Sequence, residues 1–223
     1  MKLFNIIKYQ TDIQLIGTFE QIKGFNLSHQ EVKAHQFGYL SEIERIEDLP
    51  NLHHFALDAK AKITDGLTNN MISMMAGLLI SEKCKKLFDQ FNVKAKFHTA
   101  SVHTNSKKIL PYFYMEIKYI PNSINFEKSD FEIRKELFKQ SFGMIKIIDY
   151  DDFIAKSKEV YLDSNTKGSS IIPLKLVMNE TLDIFRYPMQ AGILCSQDLQ
   201  KAIMSENITG FTFNKANWVI EYS

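Results

Sequence analysis

The chain has 223 residues, of which 45% are apolar, so it is long enough to bury one large core or two small ones without disulfide bonds. Its 27 basic and 26 acidic residues nearly cancel. Only three of the basic residues are arginines, so the chain lacks both the positive field and the guanidinium groups that favour phosphate binding. Nucleic acid is therefore excluded as the main partner.

The cysteine content and the apolar runs predict a cytoplasmic protein. Cys84 and Cys195 are too few for a disulfide framework, and both fall among apolar residues, so we expect buried, reduced thiols. Residues 1–9 lack the continuous apolar region of an export signal. The longest apolar run, residues 74–80, has seven residues, whereas a helix that spans a bilayer needs roughly 20. A membrane span is excluded on this ground.

The first 70 residues are predicted to form an N-terminal segment of mixed structure that packs on the rest of the chain. Within it, residues 1–9, 19–25 and 37–43 have the composition of short strands. Residues 71–223 are predicted to form the main α+β region, with a mixed or mainly antiparallel sheet.

An internal similarity between residues 74–93 and 189–208 is the most informative pattern in the chain. A shift of 115 residues aligns them without a gap, and seven of the twenty positions are identical, where composition alone gives about one. The identical pairs are Met74/Met189, Ala76/Ala191, Gly77/Gly192, Leu79/Leu194, Ser81/Ser196, Lys86/Lys201 and Asn92/Asn207. Residues 74–97 and 189–213 are therefore predicted to be related strand-helix-strand units.

Two pairs of polar residues have predicted roles in this repeat. Ser81 and Ser196 each follow an apolar run and precede residues at helical spacing, so both are predicted helix N-caps. Asn92 and Asn207 fall where each helix is predicted to end. Asparagine tolerates the left-handed backbone that often closes a helix, so both are predicted C-cap residues.

Residues 112–120 alternate between apolar and polar side chains and predict a half-buried strand. Phe113 and Met115 are expected to face the core, with Tyr114 and Glu116 on the other face. The further elements predicted after this strand are a helix at 131–138, a strand at 143–148, a helix at 151–158 and a pair of strands at 171–178 and 181–186.

The sequence contains no motif that is typical of cofactor binding. The nine glycines are scattered and form neither a nucleotide-binding loop nor the turn that carries a hydrolase serine, so no cofactor is predicted. His53 and His54 are adjacent, a spacing that points the side chains apart, and His98 and His103 flank a predicted loop. No metal ligands are predicted among them.

Asp149, Tyr150, Asp151 and Asp152 form the densest acidic group. Because apolar residues follow at once, the group is best explained as the capped start of a helix. Two alternatives remain open: a magnesium site, and a partner-binding patch for a basic ligand. The lone Arg186 in an apolar strand needs an acidic or carbonyl partner, and its role as a structural ion pair or an anion anchor is left open.

Six short motifs occur in an order that resembles a known family. They are GLLISEK at 77–83, YFY at 112–114, FEKS at 126–129, IFR at 184–186, ILCS at 193–196 and ITGFTF at 208–213. In this succession the chain resembles immunity protein family 11 of bacterial polymorphic toxin systems.

The resemblance implies a non-catalytic, cytoplasmic protein that protects a bacterium by binding and neutralising a cognate toxin domain. It supplies no catalytic or binding residues, and it leaves the identity of the toxin and the oligomeric state open. The alternative of a different class is an enzyme whose acids and histidine, for instance Asp149, Asp151 and His98, meet only in the folded chain.

Overall fold

A computed structural model describes residues 3–25, 52–68, 77–117, 120–135, 140–186, 192–216 and 219–223. The strands are β1 (Phe4–Tyr9), β2 (Ile22–Phe25), β3 (Phe55–Leu57), β4 (Gly66–Leu67), β5 (Gly77–Ser81), β6 (Ala95–His103), β7 (Ile109–Ile117), β8 (Ile124–Lys135), β9 (Gln140–Ile145), β10 (Ser170–Met178), β11 (Ile184–Arg186), β12 (Ile193–Ser196), β13 (Phe211–Lys215) and β14 (Val219–Tyr222). The α-helices in the same residues are α1 (Ile13–Ile16), α2 (Glu82–Phe88), α3 (Tyr150–Leu162) and α4 (Gln197–Ser205).

These elements confirm the predicted α+β class. Most strand pairs are antiparallel, while β3 with β6 and β10 with β14 are parallel, so the sheets are both mixed and antiparallel. No helix in the described residues is long and apolar enough to cross a membrane.

The chain divides into two compact units. The first unit comprises Met1–Ile7, Tyr119–Gln200 and Phe213–Ser223, and the second comprises Lys8–Lys118 and Lys201–Thr212. The separate N-terminal segment inferred from the sequence stays a prediction.

The first unit is built on a sheet with the order β14-β10-β8-β9 and on the antiparallel strands β11, β12 and β1. Helix α3 buries Phe153 and Val160, seven residues apart and therefore on one side of the helix. Each burial contributes roughly 1.5–3 kcal/mol. Phe153 lies 6.0 Å from Phe126 and 6.2 Å from Phe131, measured between ring centroids. This aromatic cluster attaches α3 to β8.

The second unit contains a sheet with the order β2-β3-β6-β7-β5-β4. Strand β7 is central, with β6 and β5 paired to its two edges. Tyr114 in β7 is fully buried, so its predicted solvent-facing position is wrong. The alternation that suggested a half-buried strand fails because both faces of β7 are covered over this stretch, as for strands in the middle of a fold.

Two further predictions fail because strand pairing over long distances overrides local sequence. The predicted helix at 131–138 is wrong over residues 131–135, since β8 continues to Lys135 and pairs with β10 and β9, and its last three residues lie outside the described residues. The predicted pairing of 171–178 with 181–186 is also wrong, because β10 pairs with β8 and β14, while β11 pairs with β12. The strand predicted at 37–43 lies outside the described residues.

The two strand-to-helix junctions of the repeat have the same local geometry. The Ser81 hydroxyl oxygen accepts a hydrogen bond from the Cys84 amide at 3.2 Å, and the Ser196 oxygen accepts one from the Leu199 amide at 3.2 Å. Both predicted N-caps are therefore confirmed. Descent of the two units from one ancestral segment stays a prediction.

The predicted helix ends differ in outcome. Asn207 has a φ of 52° and confirms the left-handed position expected of it. The expectation for Asn92 is wrong, because α2 ends at Phe88 and Asp89 is its C-cap. The helix stops three residues earlier than its asparagine suggested.

Candidate partner-binding groove

The acidic group at residues 149–152 forms the start of α3, which confirms its prediction as a capped helix start. Asp149 is the N-cap, and its Oδ1 accepts a hydrogen bond from the Asp152 amide at 2.8 Å. Asp152 in turn accepts hydrogen bonds from Lys156 Nζ at 2.9 Å and from the Ile148 amide at 3.0 Å. The hydrogen bond from Lys156 holds the pKa of the Asp152 carboxyl below its usual value.

The other two members of the group have different surroundings. Tyr150 is half-buried against the core, and its ring stacks on Phe153 at 6.3 Å between centroids. Asp151 is exposed, and its carboxylate makes no hydrogen bond or ion pair within the described part of the chain. One negative charge of the group is therefore fully available at the surface.

A groove with a volume of about 300 Å³ opens beside Asp149 and Tyr150. It lies between the residues that lead into α3 and the beginning of β8 with its preceding turn. The residues that line it are Pro121, Asn122, Ile124, Asn125, Phe126, Glu127, Ile148, Asp149, Tyr150 and Asn179. The charged residues of this lining, Glu127 and Asp149, are both acidic.

The apolar part of the groove belongs to the core of the first unit. Ile124 and Phe126 are 6% and 5% exposed and form part of the same cluster as Phe153. Ile148, in contrast, is 53% exposed. The groove therefore has a well-packed floor and an apolar rim that a partner can cover.

A bulge in β8 brings Glu127 out of the sheet. Asn125 pairs with Val177 and Asp130 pairs with Lys175, so residues 126–129 oppose a single residue of β10. The Ser129 hydroxyl fills the gap: it donates to the Asn125 carbonyl at 2.6 Å and accepts from the Val177 amide at 2.9 Å. The bulge is therefore anchored by hydrogen bonds at its base, while Glu127 is exposed.

The opposite wall is a 3-10 helix, Pro121–Ser123, that is bonded to the end of β10. The Asn179 amide donates to the Ser123 carbonyl at 2.8 Å, and Asn179 Nδ2 donates to the Asn122 carbonyl at 3.2 Å. The Ser123 hydroxyl also donates to Glu180. These bonds hold the 3-10 helix against the end of β10, and three asparagines, at residues 122, 125 and 179, line the groove.

Exposed apolar side chains continue from the groove along α3. Ile154, Tyr161 and Leu162 are 47%, 62% and 65% exposed. Because Tyr161 and Leu162 follow Ile154 by seven and eight residues, all three lie on one side of the helix. We call the groove together with these three residues and Asp151 the α3 surface.

The histidines predicted to be poor metal ligands are placed in the second unit. His103 Nε2 is 2.8 Å from the His53 carbonyl oxygen, and the rings of His54 and His103 stack at 5.9 Å. His98 Nε2 lies 3.0 Å from Glu116 Oε2. Within the described ranges, no three histidine, cysteine or acidic side chains converge in a way that fits a metal ion.

Both cysteines are core residues, as the sequence predicts. Cys84 and Cys195 are fully buried. Burial raises the pKa of Cys195 to about 12, and burial together with the charge of Asp65 raises the pKa of Cys84 still further above its usual value. Both thiols are therefore protonated and unreactive at neutral pH.

The residues of the enzymatic alternative fall in different units. Asp149 and Asp151 belong to the first unit and His98 to the second. Arg186, the last residue of β11, is half-buried and pairs with Ile193 in the sheet, and no hydrogen bond or ion pair joins its side chain to another described residue. Its role stays open.

Sequence reasoning missed Glu127, Asn122 and the apolar floor of the groove. Nothing in residues 121–127 differs in composition from an ordinary strand entry, because the groove depends on a bulge and on a distant turn at Asn179. The aromatic and acidic pair at 149–150 was the one local signal that pointed to this place.

Comparison with known proteins gives the family of this chain. Residues 18–217 match the Immunity protein family (Imm11), and the chain belongs to this family. The resemblance seen in the motif order is thereby confirmed, and the match begins well before residue 70. Membership indicates an immunity function. No curated protein matches the chain.

Proposed function

We propose that this protein is a non-catalytic immunity protein that neutralises a cognate bacterial toxin by binding it directly in the cytoplasm. The observation that carries the proposal is the family match over residues 18–217. The sequence and the described residues offer no recognised nucleophile, cofactor motif or metal cluster for a catalytic account. Inhibition by a bound protein needs only a stable scaffold and a complementary exterior.

The partner-binding residues in this proposal are Asp149, Tyr150, Asp151 and Asp152, together with the rest of the α3 surface. Protein interfaces combine apolar and aromatic anchors with a polar rim, and a few anchors supply most of the binding energy. Ile148 and Ile154 are exposed apolar residues next to these acids in the sequence, and the exposed Tyr161 lies further along α3. A toxin with a basic rim around an apolar patch would match this combination in both charge and polarity.

The proposal is tested by rescue and by stoichiometry. The toxin domain encoded beside this gene is expressed in a sensitive bacterium with and without the protein, and the purified pair is studied by isothermal titration calorimetry. We expect rescue, a stable complex, and inhibition that is complete only at equimolar protein.

An enzyme would inactivate many toxin molecules per copy. Rescue at a small fraction of the toxin concentration, without a detectable complex, would therefore contradict the proposal and favour the catalytic alternative. The variant His98→Gln then separates the two accounts further, because only the enzyme requires His98.

A further inference from the structure

We propose that the groove binds one lysine or arginine side chain of the toxin, an inference that rests on the proposed function. The groove offers carboxylates at its edge, an apolar floor and side-chain amides along one wall. These three features match the charged end, the methylene stem and the N–H groups of a basic side chain.

The charge of the groove is the first argument. Glu127 and Asp149 come from two different elements, the bulge of β8 and the cap of α3, and none of the described residues that line the groove is basic. Glu127 makes no hydrogen bond or ion pair with any described residue. Asp149 uses Oδ1 for the helix cap, and its Oδ2 accepts no hydrogen bond in the described part of the chain. Both carboxylates therefore have acceptor capacity left for a cation.

The second argument is the shape and polarity of the floor. Lysine and arginine bury their methylene stems on apolar surface while the charged end stays near water or a carboxylate. Ile124 and Phe126 provide such a floor, Ile148 the rim, and the half-buried Tyr150 an aromatic wall beside the cation. The volume, about 300 Å³, is at the lower end of ligand pockets and suits one long side chain rather than a helix, which is about 10 Å across.

The same features disfavour other occupants. An anion would face two carboxylates, and an apolar side chain would cover them without a compensating hydrogen bond, which costs free energy. The described residues show no cluster that fits a metal ion. The side-chain carbonyl oxygens of Asn122 and Asn179 are, in contrast, natural acceptors for ammonium or guanidinium N–H groups.

The first test measures toxin binding by two charge-removing variants. Glu127→Gln and Asp149→Asn change little besides charge, and asparagine remains a good N-cap, so α3 is retained. We expect each substitution to raise the dissociation constant for the toxin about tenfold. We also expect this constant to depend less on salt concentration than it does for the wild type. Glu206→Gln removes an exposed acid in the second unit and serves as the matched control, with no expected change.

A double-mutant cycle identifies the occupant. Each lysine and arginine on the toxin is replaced by alanine and combined with Glu127→Gln. We expect one toxin residue whose effect is largely lost in the Glu127→Gln background, because the two side chains interact directly. Additive effects for every basic toxin residue would overturn the inference.

A probe independent of the toxin keeps the two proposals distinguishable. Nα-acetyl-argininamide is titrated into the wild-type protein and into the Glu127→Gln/Asp149→Asn variant, and amide shifts are followed by NMR. We expect shifts confined to residues 121–127 and 148–150, and none in the variant. A toxin that binds both proteins equally would overturn the groove inference alone. A protein that binds the probe but no toxin would overturn the proposed function and leave the groove as a site for basic side chains.

Discussion

The Ser196 hydroxyl donates a hydrogen bond of 2.7 Å to Asp183 Oδ1, and the Ser196 amide donates one of 2.7 Å to the Asp183 carbonyl. The second unit contains the same arrangement. Ser81 donates through its hydroxyl at 2.6 Å and through its amide at 2.7 Å to Asp65. In both places one serine caps a helix and ties the preceding strand to the start of its antiparallel neighbour.

This pairing predicts a large effect of Ser196→Ala. Ser196 is fully buried and Asp183 is 8% exposed. The substitution removes a helix cap, worth about 1 kcal/mol, and leaves a buried carboxylate short of a donor, which costs about 1–3 kcal/mol. We expect the free energy of unfolding in urea to fall by about 2–4 kcal/mol.

Ser205→Ala is the matched control for this prediction. Ser205 lies on the same helix and is exposed, so we expect a change within about 0.5 kcal/mol. Equal effects of the two serine substitutions would show that the bond to Asp183 contributes little.

Two substitutions of Asp149 distinguish the contribution of its capping hydrogen bond to stability from the contribution of its charge. Asp149→Ala removes the acceptor for the Asp152 amide, and we expect it to lower the free energy of unfolding by about 1 kcal/mol. Asp149→Asn keeps an acceptor and is expected to cost much less. Urea denaturation of both variants checks this difference. If asparagine destabilises the protein as much as alanine does, the negative charge at the N-terminus of α3 contributes more to stability than the hydrogen bond does.

Gly77 is required by the packing of Tyr114. A Cβ atom at residue 77 would lie 2.2 Å from Tyr114 Cε2, and the tyrosine is fully buried. We expect Gly77→Ala to lower the thermal midpoint and to cost about 3 kcal/mol. Gly77→Ala should cost much less in the Tyr114→Leu background than in the wild type, because the ring that clashes has been removed. Purely additive losses would contradict this account.

The buried thiol of Cys195 predicts a decrease of stability at alkaline pH. Burial raises the pKa of Cys195 from 9.0 to about 12. The unfolded chain therefore releases this proton at lower pH than the folded chain does. The contribution of the thiol to the unfolding free energy is complete below pH 9.0 and is lost as pH rises toward 12.

Urea titrations between pH 8 and 11 test this dependence. Since Cys195→Ala has no thiol to ionise, its unfolding free energy should decrease less steeply with pH than that of the wild type. Parallel pH profiles would show that other groups dominate. Tyr222, whose pKa burial raises to about 12, acts in the same direction and remains in both proteins.

Local signals in the sequence predicted the features that depend on a few neighbouring residues. Ser81 and Ser196 were recognisable as caps, and α3 was expected at its acidic start, because capping and helical spacing are read within one or two turns. The burial of Tyr114 was missed because it depends on what covers the second face of β7. The predicted helix at 131–138 failed because two partner strands far along the chain pair with that segment.

The candidate groove was predictable only in part, for the same reason. Asp149 and Tyr150 stood out locally. Glu127 joined them only through the bulge at residues 126–129 and through the turn held by Asn179, neither of which leaves a periodic pattern.

The bulge of β8 also affects how this protein can evolve. Glu127 and Lys128 are exposed and lie outside the ladder of backbone hydrogen bonds. The residues on either side, Phe126 and Ser129, are buried, and the Ser129 hydroxyl is bonded to the neighbouring strand β10. Mutation of Glu127 therefore changes the chemistry displayed at the edge of the groove at little thermodynamic cost to folding. If the groove binds the toxin as proposed, a lineage that meets an altered toxin can change its recognition at Glu127 without rebuilding the scaffold.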